Sequence, residues 1–200
     1  MARWSKEEHD AALVGPERPI DGVVIEDYDP RWPDWFAAER DAIRTALGAN
    51  VPLRLEHTGS TSVPGLAAKP IIDMLMVLAD TTNEQTYVPA LEAIGYRLAM
   101  REPNWYDHRV LTRRRTDGDP YDVNLHVFPP TAATEIERIL AFRDWLRRHP
   151  EDRQCYERIK RGLAQRSWTY MLDYSNAKSE IVEEILTRAL TGESDGGCPQ

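Results

Sequence analysis

The sequence is short of cysteine, of long apolar runs and of net positive charge, and each shortage removes a class of protein. Two cysteines in 200 residues, Cys155 in a helical pattern and Cys198 in the polar tail SDGGCPQ, make no disulfide framework. No CxxC pair and no Cys/His ligand spacing is present. Unpaired thiols in a reducing cytosol are the expectation. No apolar stretch approaches the roughly 20 residues that cross a bilayer, and the opening MARWSKEEHDAAL lacks the apolar core of a secretory signal. A cytoplasmic protein without a membrane partner is expected. Lys and Arg number 25 against 33 Asp and Glu, a formal net charge of −8. General polyanion binders rest on a basic surface, so nucleic acid is not an expected partner; a small basic pocket stays compatible.

What is present suits one globular domain, or one with a helical appendage. With 42% hydrophobic and 29% charged residues, 200 residues can bury a sizeable core without staples. Residues 1–19 are polar and read as a flexible N-terminal arm. IDGVVIEDYD (20–29) has the β-branched content of a strand, and a Pro- and Trp-rich corner leads into a helix at about 34–48. VPLRLEHTG (51–59) alternates with period two, as a half-buried strand does. PIIDMLMVLA (70–79) is a continuous apolar run, which suits a central strand covered on both faces. EQTYVPALEAIG reads as a helix ended by Gly95. Strands follow at 96–100, 107–114 and 121–128, the last two forming an antiparallel hairpin around TDGDP. From Thr134 the pattern is helical, with helices at about 134–148, 151–166 and 173–190. This divides the chain into the arm, an α/β core over 20–130, a helical region over 131–191 and a disordered tail, 192–200.

The stretch HTGSTSVPGLAAKPIID (57–73) places a small-residue turn between two strands. Gly59 lets backbone approach a ligand. Backbone N–H groups with the hydroxyls of Ser60, Thr61 and Ser62 can bind phosphate oxygens. Lys69 adds positive charge. Asp73 can reach the same phosphates through Mg²⁺, which takes one or two carboxylates plus phosphate oxygens. The spacing of a P-loop is missing. On residue types alone, an ordinary turn and a phosphate-holding loop both remain open.

The stretch HTGSTSVPGLAAKPIIDMLM resembles the signature of the GrpB-like proteins, a branch of the nucleotidyltransferase superfamily. The resemblance includes YDPRWPDWF upstream and NLHVF, FRDWLRRHPEDRQCYERIKRGLA and YSNAKSEIVEEIL downstream, so it spans about 22–190. It implies an α+β fold, a nucleotidyltransferase-like mixed β-sheet flanked by helices, with a helical C-terminal part. A similar module is fused to dephospho-coenzyme A kinase in some bacteria. The superfamily pattern is Gly-Ser, a short interval, Asp-x-Asp/Glu on the next strand and a third carboxylate on a later one. Gly59, Ser60 and Asp73 match it. The second acidic position falls on Leu75, which offers no metal ligand.

Alternation on strand 121–128 places Asp122, Asn124 and His126 on one face. Within the resemblance, Asp122 is the candidate second metal carboxylate, beside Asp73, and His126 the candidate general base. Arg109 and Arg113 share a face of the preceding strand and are candidates for phosphate or carboxylate recognition. Tyr174 and Lys178, one helical turn apart, are candidates to stack on a base and meet phosphate. The implied activity is Mg²⁺-dependent transfer of a nucleotidyl group from a nucleoside triphosphate, ATP first, to a small-molecule acceptor. The alternative is an accessory module, catalytically reduced, that binds a nucleotide or coenzyme A precursor.

Overall fold

In the computed structural model, residues 4–17, 19–48, 52–115 and 120–192 are described. Five strands form one mixed sheet: β1 (Arg54–Thr58), β2 (Ile71–Val77), β3 (Arg97–Glu102), β4 (His108–Arg113) and β5 (Asp122–Phe128). Their spatial order is β1-β2-β5-β4-β3. Only β2 and β5 run parallel; the other neighbouring pairs are antiparallel. The described helices are α1 (Lys6–Ala12), α2 (Trp32–Leu47), α3 (Val88–Glu92), α4 (Ala133–Arg148), α5 (Pro150–Ala164), α6 (Met171–Ala177) and α7 (Ser179–Thr191). The fold is α+β, a mixed sheet flanked by helices. No described helix is long and apolar enough to cross a membrane.

The apolar run of β2 is continuous because both of its faces are covered. Ile72, Met74 and Met76 join Val123, Leu125, Val127 and Leu111 beneath Trp32 and Ile43 of α2 and Leu91 of α3. Leu75 and Val77 face the other way, packing with Phe128 against Ile136 and Leu140 of α4. Each such burial stabilises by about 1.5–3 kcal/mol. Asp73 lies on this second face, two residues before Leu75. α2 is delimited by local signals: Pro33 and Asp34 in its first turn, Arg44 in its last and Gly48 at its end with φ 53°.

Four expectations differ from the structure. The supposed arm is docked: Ser5 and Glu8 form a capping box for α1, and Val14 N–H donates to Ala99 O at 2.8 Å. Asn176 holds Trp4 through both its N–H and its carbonyl, at 3.2 and 2.9 Å. Residues 20–29 form no sheet strand. Glu26 bridges Ala68 through two backbone bonds, so its partner is the β1–β2 connection rather than a sheet edge. The last helix is two helices, because Lys178 N–H closes a short-range bond to Ser175 O and so interrupts the ladder. Cys155 is buried and disulfide-bonded, against the expectation of a free thiol. Cys198, most of TDGDP and tail residues 193–200 lie outside the described residues.

Candidate functional site

The β1–β2 connection begins at Gly59, whose φ of 64° and ψ of −172° favour glycine. A side chain would also collide with Asp73: a Cβ built there lies 2.8 Å from the Asp73 Cβ and closes on its Oδ2. Gly59 is therefore what brings the turn against the carboxylate. Residues 60–62 form one 3-10 turn. Its hydroxyls divide by task. Thr61 Oγ1 donates to Ile71 O at 3.0 Å, which leaves it to accept from His57 Nε2, also at 3.0 Å. Burial, with the guanidiniums of Arg147 and Arg143, pushes the His57 pKa down to about 3, so it serves as a neutral donor. Ser62 Oγ donates to Gly59 O at 2.6 Å. Thr61 and Ser62 thus hold the turn together, and their expected role in phosphate binding is corrected. The hydroxyl turned outward to other groups is that of Ser60.

The turn is also held from outside. Arg147 of α4 donates twice to Ser62 O, at 3.0 and 2.8 Å. Arg143 reaches His57 O at 3.0 Å and Glu56 at 2.8 Å. Val63 and Leu66 pack among Trp145, Tyr156, Ile181 and Ile185 of α4, α5 and α7.

On the sheet, Asp73 pairs in register with Asn124, and Leu75 with His126. Asn124 Nδ2 donates to Asp73 Oδ1 at 2.8 Å, while Arg114 Nη1 donates to Asn124 Oδ1 at 3.0 Å. Asp122, two pairs along on the same face, accepts from Arg115 N–H at 2.7 Å. His126 Nδ1 lies 3.2 Å from His108 Nε2, and His108 Nδ1 lies 2.6 Å from Glu102 Oε2.

Three lysines converge above this face. Lys160 of α5, only 2% exposed, donates to Ala67 O at 2.6 Å and Ser60 Oγ at 2.9 Å. Lys178, between α6 and α7, places its ammonium 4.5 Å from the Tyr174 ring centre. Lys69 lies 5.4 Å from the same ring. Among the described residues, none of the three has a carboxylate within ion-pair distance. Burial and the Lys178 charge, with smaller effects of Lys69 and Arg161, bring Lys160 down to about 7. Burial and Lys69 bring Lys178 down to about 7, against the pull of Asp73. Lys69 is lowered by burial, with Asp73 and Asp122 opposing.

Two expectations fail on geometry. Arg109 and Arg113 stand opposite Val127 and Val123, so they point to the other face of the sheet from Asp73. There Arg109 pairs with Glu84 and Arg113 with Glu39, at 2.8 and 2.6 Å. Tyr174 is fully buried against Val23 and Leu163, with its hydroxyl unpartnered, and cannot stack on a base. Its ring instead supports two of the lysines. Lys160 was the stronger signal in the sequence: with Tyr156 and Leu163 it occupies an apolar helix stripe, where a lysine is unexpected. Arg114, His108 and Glu102 carried no such signal.

The donor set at Asp73 fits one metal ion, not two. Across the strands stands Asn124 and along its face Leu75, so among the described residues no second carboxylate joins it, and Asp122 is tied to Arg115. Asp73 Oδ2 accepts no hydrogen bond among the described residues and lies over the bare Gly59. A described trio close enough to share an ion is His9, Asp10 and Glu17, but Lys6 already neutralises both acids, at 3.0 and 3.3 Å. A cavity of about 590 Å³ beside β3, lined by Glu84, Arg97 and Arg101, contains none of the three lysines.

The sequence profile of the GrpB family, described as GrpB protein, matches residues 22–188. The chain belongs to the GrpB family. A UPF0157 protein of Halalkalibacterium halodurans is 50% identical over 184 residues, 92% of this chain and 91% of that one. The crystal structure of conserved protein GrpB from Enterococcus faecalis superposes with a TM-score of 0.72 at 33% identity. It covers 84% of this chain and 98% of the other. A dephospho-CoA kinase of Mycolicibacterium paratuberculosis is 31% identical over 162 residues, 70% of this chain but 39% of the kinase. The GrpB match therefore takes in the turn, β2, β5 and all three lysines.

Proposed function

We propose that this GrpB-family chain is a nucleotidyltransferase-like protein that binds a nucleoside triphosphate, ATP first, and transfers its nucleotidyl group to a small-molecule acceptor. The observation that carries the reading is the trio of lysines without carboxylate partners, gathered around Ser60 and Asp73. Buried ammoniums that repel one another are relieved by a polyanion, and a triphosphate is a polyanion of suitable size. Lys160, Lys178, Lys69 and Ser60 bind the phosphates in this reading. Asp73 would hold one Mg²⁺ through Oδ2; when bound, the ion neutralises phosphate charge. His126 accepts the proton of the acceptor hydroxyl. The acceptor oxygen bonds to the α-phosphorus, the α–β phosphoanhydride bond breaks, and pyrophosphate leaves.

Isothermal titration of ATP with Mg²⁺ tests the binding half. Wild type binds, and Lys178→Met weakens binding at least about tenfold, or about 1.4 kcal/mol. Absence of wild-type binding overturns the reading.

A second reading has its own support. Asn124 and Leu75 leave Asp73 without a second carboxylate, which favours an accessory module that binds a nucleotide or coenzyme A precursor without turnover. The similarity to a dephospho-CoA kinase points the same way. Pyrophosphate release across a panel of sugars, amino acids and aminoglycosides separates the two. Acceptor-dependent release that vanishes in Asp73→Ala excludes the accessory role; tight binding without release excludes transfer to those acceptors.

A further inference from the structure

Glu102, His108 and His126 come from three adjacent strands and form one chain of contacts. Glu102 and His108 are fully buried and paired in register across β3 and β4. His108 is stacked nearly parallel on both His126 and Phe128, with ring centres 5.2 and 4.1 Å apart, and Trp105 closes its edge. Its ring cannot turn without disturbing this stack. The chain ends at His126, beside Asn124 and Asp73. A pure packing role does not explain why an acid and two imidazoles occupy this apolar setting, with one Glu102 oxygen, Oε1, left unpartnered.

We infer that Glu102 and His108 are positioning residues that fix the tautomer of His126 and carry its proton inward. The bookkeeping of hydrogens allows two fully bonded states. With Glu102 ionised, Oε2 accepts from His108 Nδ1–H. His108 Nε2 is then a bare acceptor for His126 Nδ1–H, and His126 Nε2 is left with a free lone pair. When Nε2 takes a proton, His126 Nδ1–H passes to His108 Nε2 and His108 Nδ1–H passes to Glu102. One proton enters, one arrives on the carboxylate, and neither ring is left charged. The protonation energetics favour this direction. Burial lifts Glu102 to about 7, although His126, His9 and Arg109 pull it back. Burial and Arg109 lower His108 to about 3. Burial and His108 lower His126 to about 4, with Asp73 and Glu102 opposing. The carboxylate is the best proton acceptor of the three. This differs from a serine-protease triad, whose Asp stays ionised.

This inference deepens the proposed transfer reaction by assigning the base its route, but its test needs no turnover. Side-chain ¹⁵N NMR of the full chain reads the tautomer of each imidazole directly. In wild type at pH 9, both His108 and His126 carry hydrogen on Nδ1. As pH falls through neutrality, both move to Nε2–H with one shared midpoint and without becoming imidazolium. In Glu102→Gln that coupled switch disappears while His57, which lies outside the chain, keeps its Nε2–H tautomer. A wild-type titration with separate midpoints, with no switch, or with a charged His126 overturns the inference, whether or not the variant folds. Failure of nucleotide turnover with the switch intact overturns the transfer reading instead.

Discussion

The sheet face under α2 and α3 and the lysine cluster under α5–α7 treat their positive charges in opposite ways. On the face under α2 and α3 the two arginines of β4 are matched: Arg109 meets Glu84, and Arg113 meets Glu39, which also accepts from Tyr96 at 2.6 Å. On the face under α5–α7, Lys69, Lys160 and Lys178 crowd together with no carboxylate in contact among the described residues. The first arrangement is complete in itself. The second is held together by the fold against its own repulsion, the feature on which the proposed anion binding rests. Charge density alone does not separate a structural network from a binding site; the state of pairing does.

The comparison is broken most severely at Glu39. Replacing it with Ala removes the carboxylate paired with Arg113 and the acceptor of the Tyr96 hydroxyl, and chemical denaturation should show a loss of about 3–5 kcal/mol. If the faces are independent, ATP affinity of the folded fraction stays unchanged. Gly59→Ala comes next. Its positive φ costs about 1–2 kcal/mol, and the new methyl displaces Asp73, so calorimetry should find nucleotide binding lost in a chain that still folds. Lys178→Met inverts the pattern: no hydrogen bond is lost and a buried charge is removed. Its melting temperature should equal or exceed that of wild type, even as affinity falls.

The same lysines imply a pH dependence. Lys160 and Lys178 titrate near 7 when folded and near 10.5 when unfolded. Between those values the unfolded chain holds more protons, so their contribution makes stability rise with pH across that window. A bound polyanion returns the ammoniums to their charged form. Titrations at pH 8 in buffers of different ionisation enthalpy should therefore record proton uptake on ATP binding, reduced in Lys178→Met.

Much of the sheet was legible because β2 is a continuous apolar run interrupted by Asp73, and β5 alternates with period two. Alternation correctly put Asp122, Asn124 and His126 on one side. It failed for Arg109 and Arg113 because period two sorts residues within a strand, while inter-strand register decides which sides coincide. The break at Lys178 was unreadable for a different reason: no Gly or Pro marks it, and a single short-range bond makes it. The involvement of Thr61 and Ser62 in their own turn is likewise invisible, since a hydroxyl that binds backbone and one that binds phosphate are the same residue type.

The grip of α4 and α5 on the β1–β2 turn has a consequence for how the molecule is made. Arg147 reaches Ser62 across 85 positions of sequence, and Lys160 reaches Ser60 across 100. On a ribosome, the turn emerges early and waits. The sheet can close once β5 has appeared, but the turn lacks the side-chain grips of Arg147 and Lys160 until α4 and α5 follow, and its charge is incomplete until Lys178 does. The lysine cluster beside the turn is thus complete only after α6 has been made, so a nascent chain that has formed its sheet still lacks the anion site proposed above.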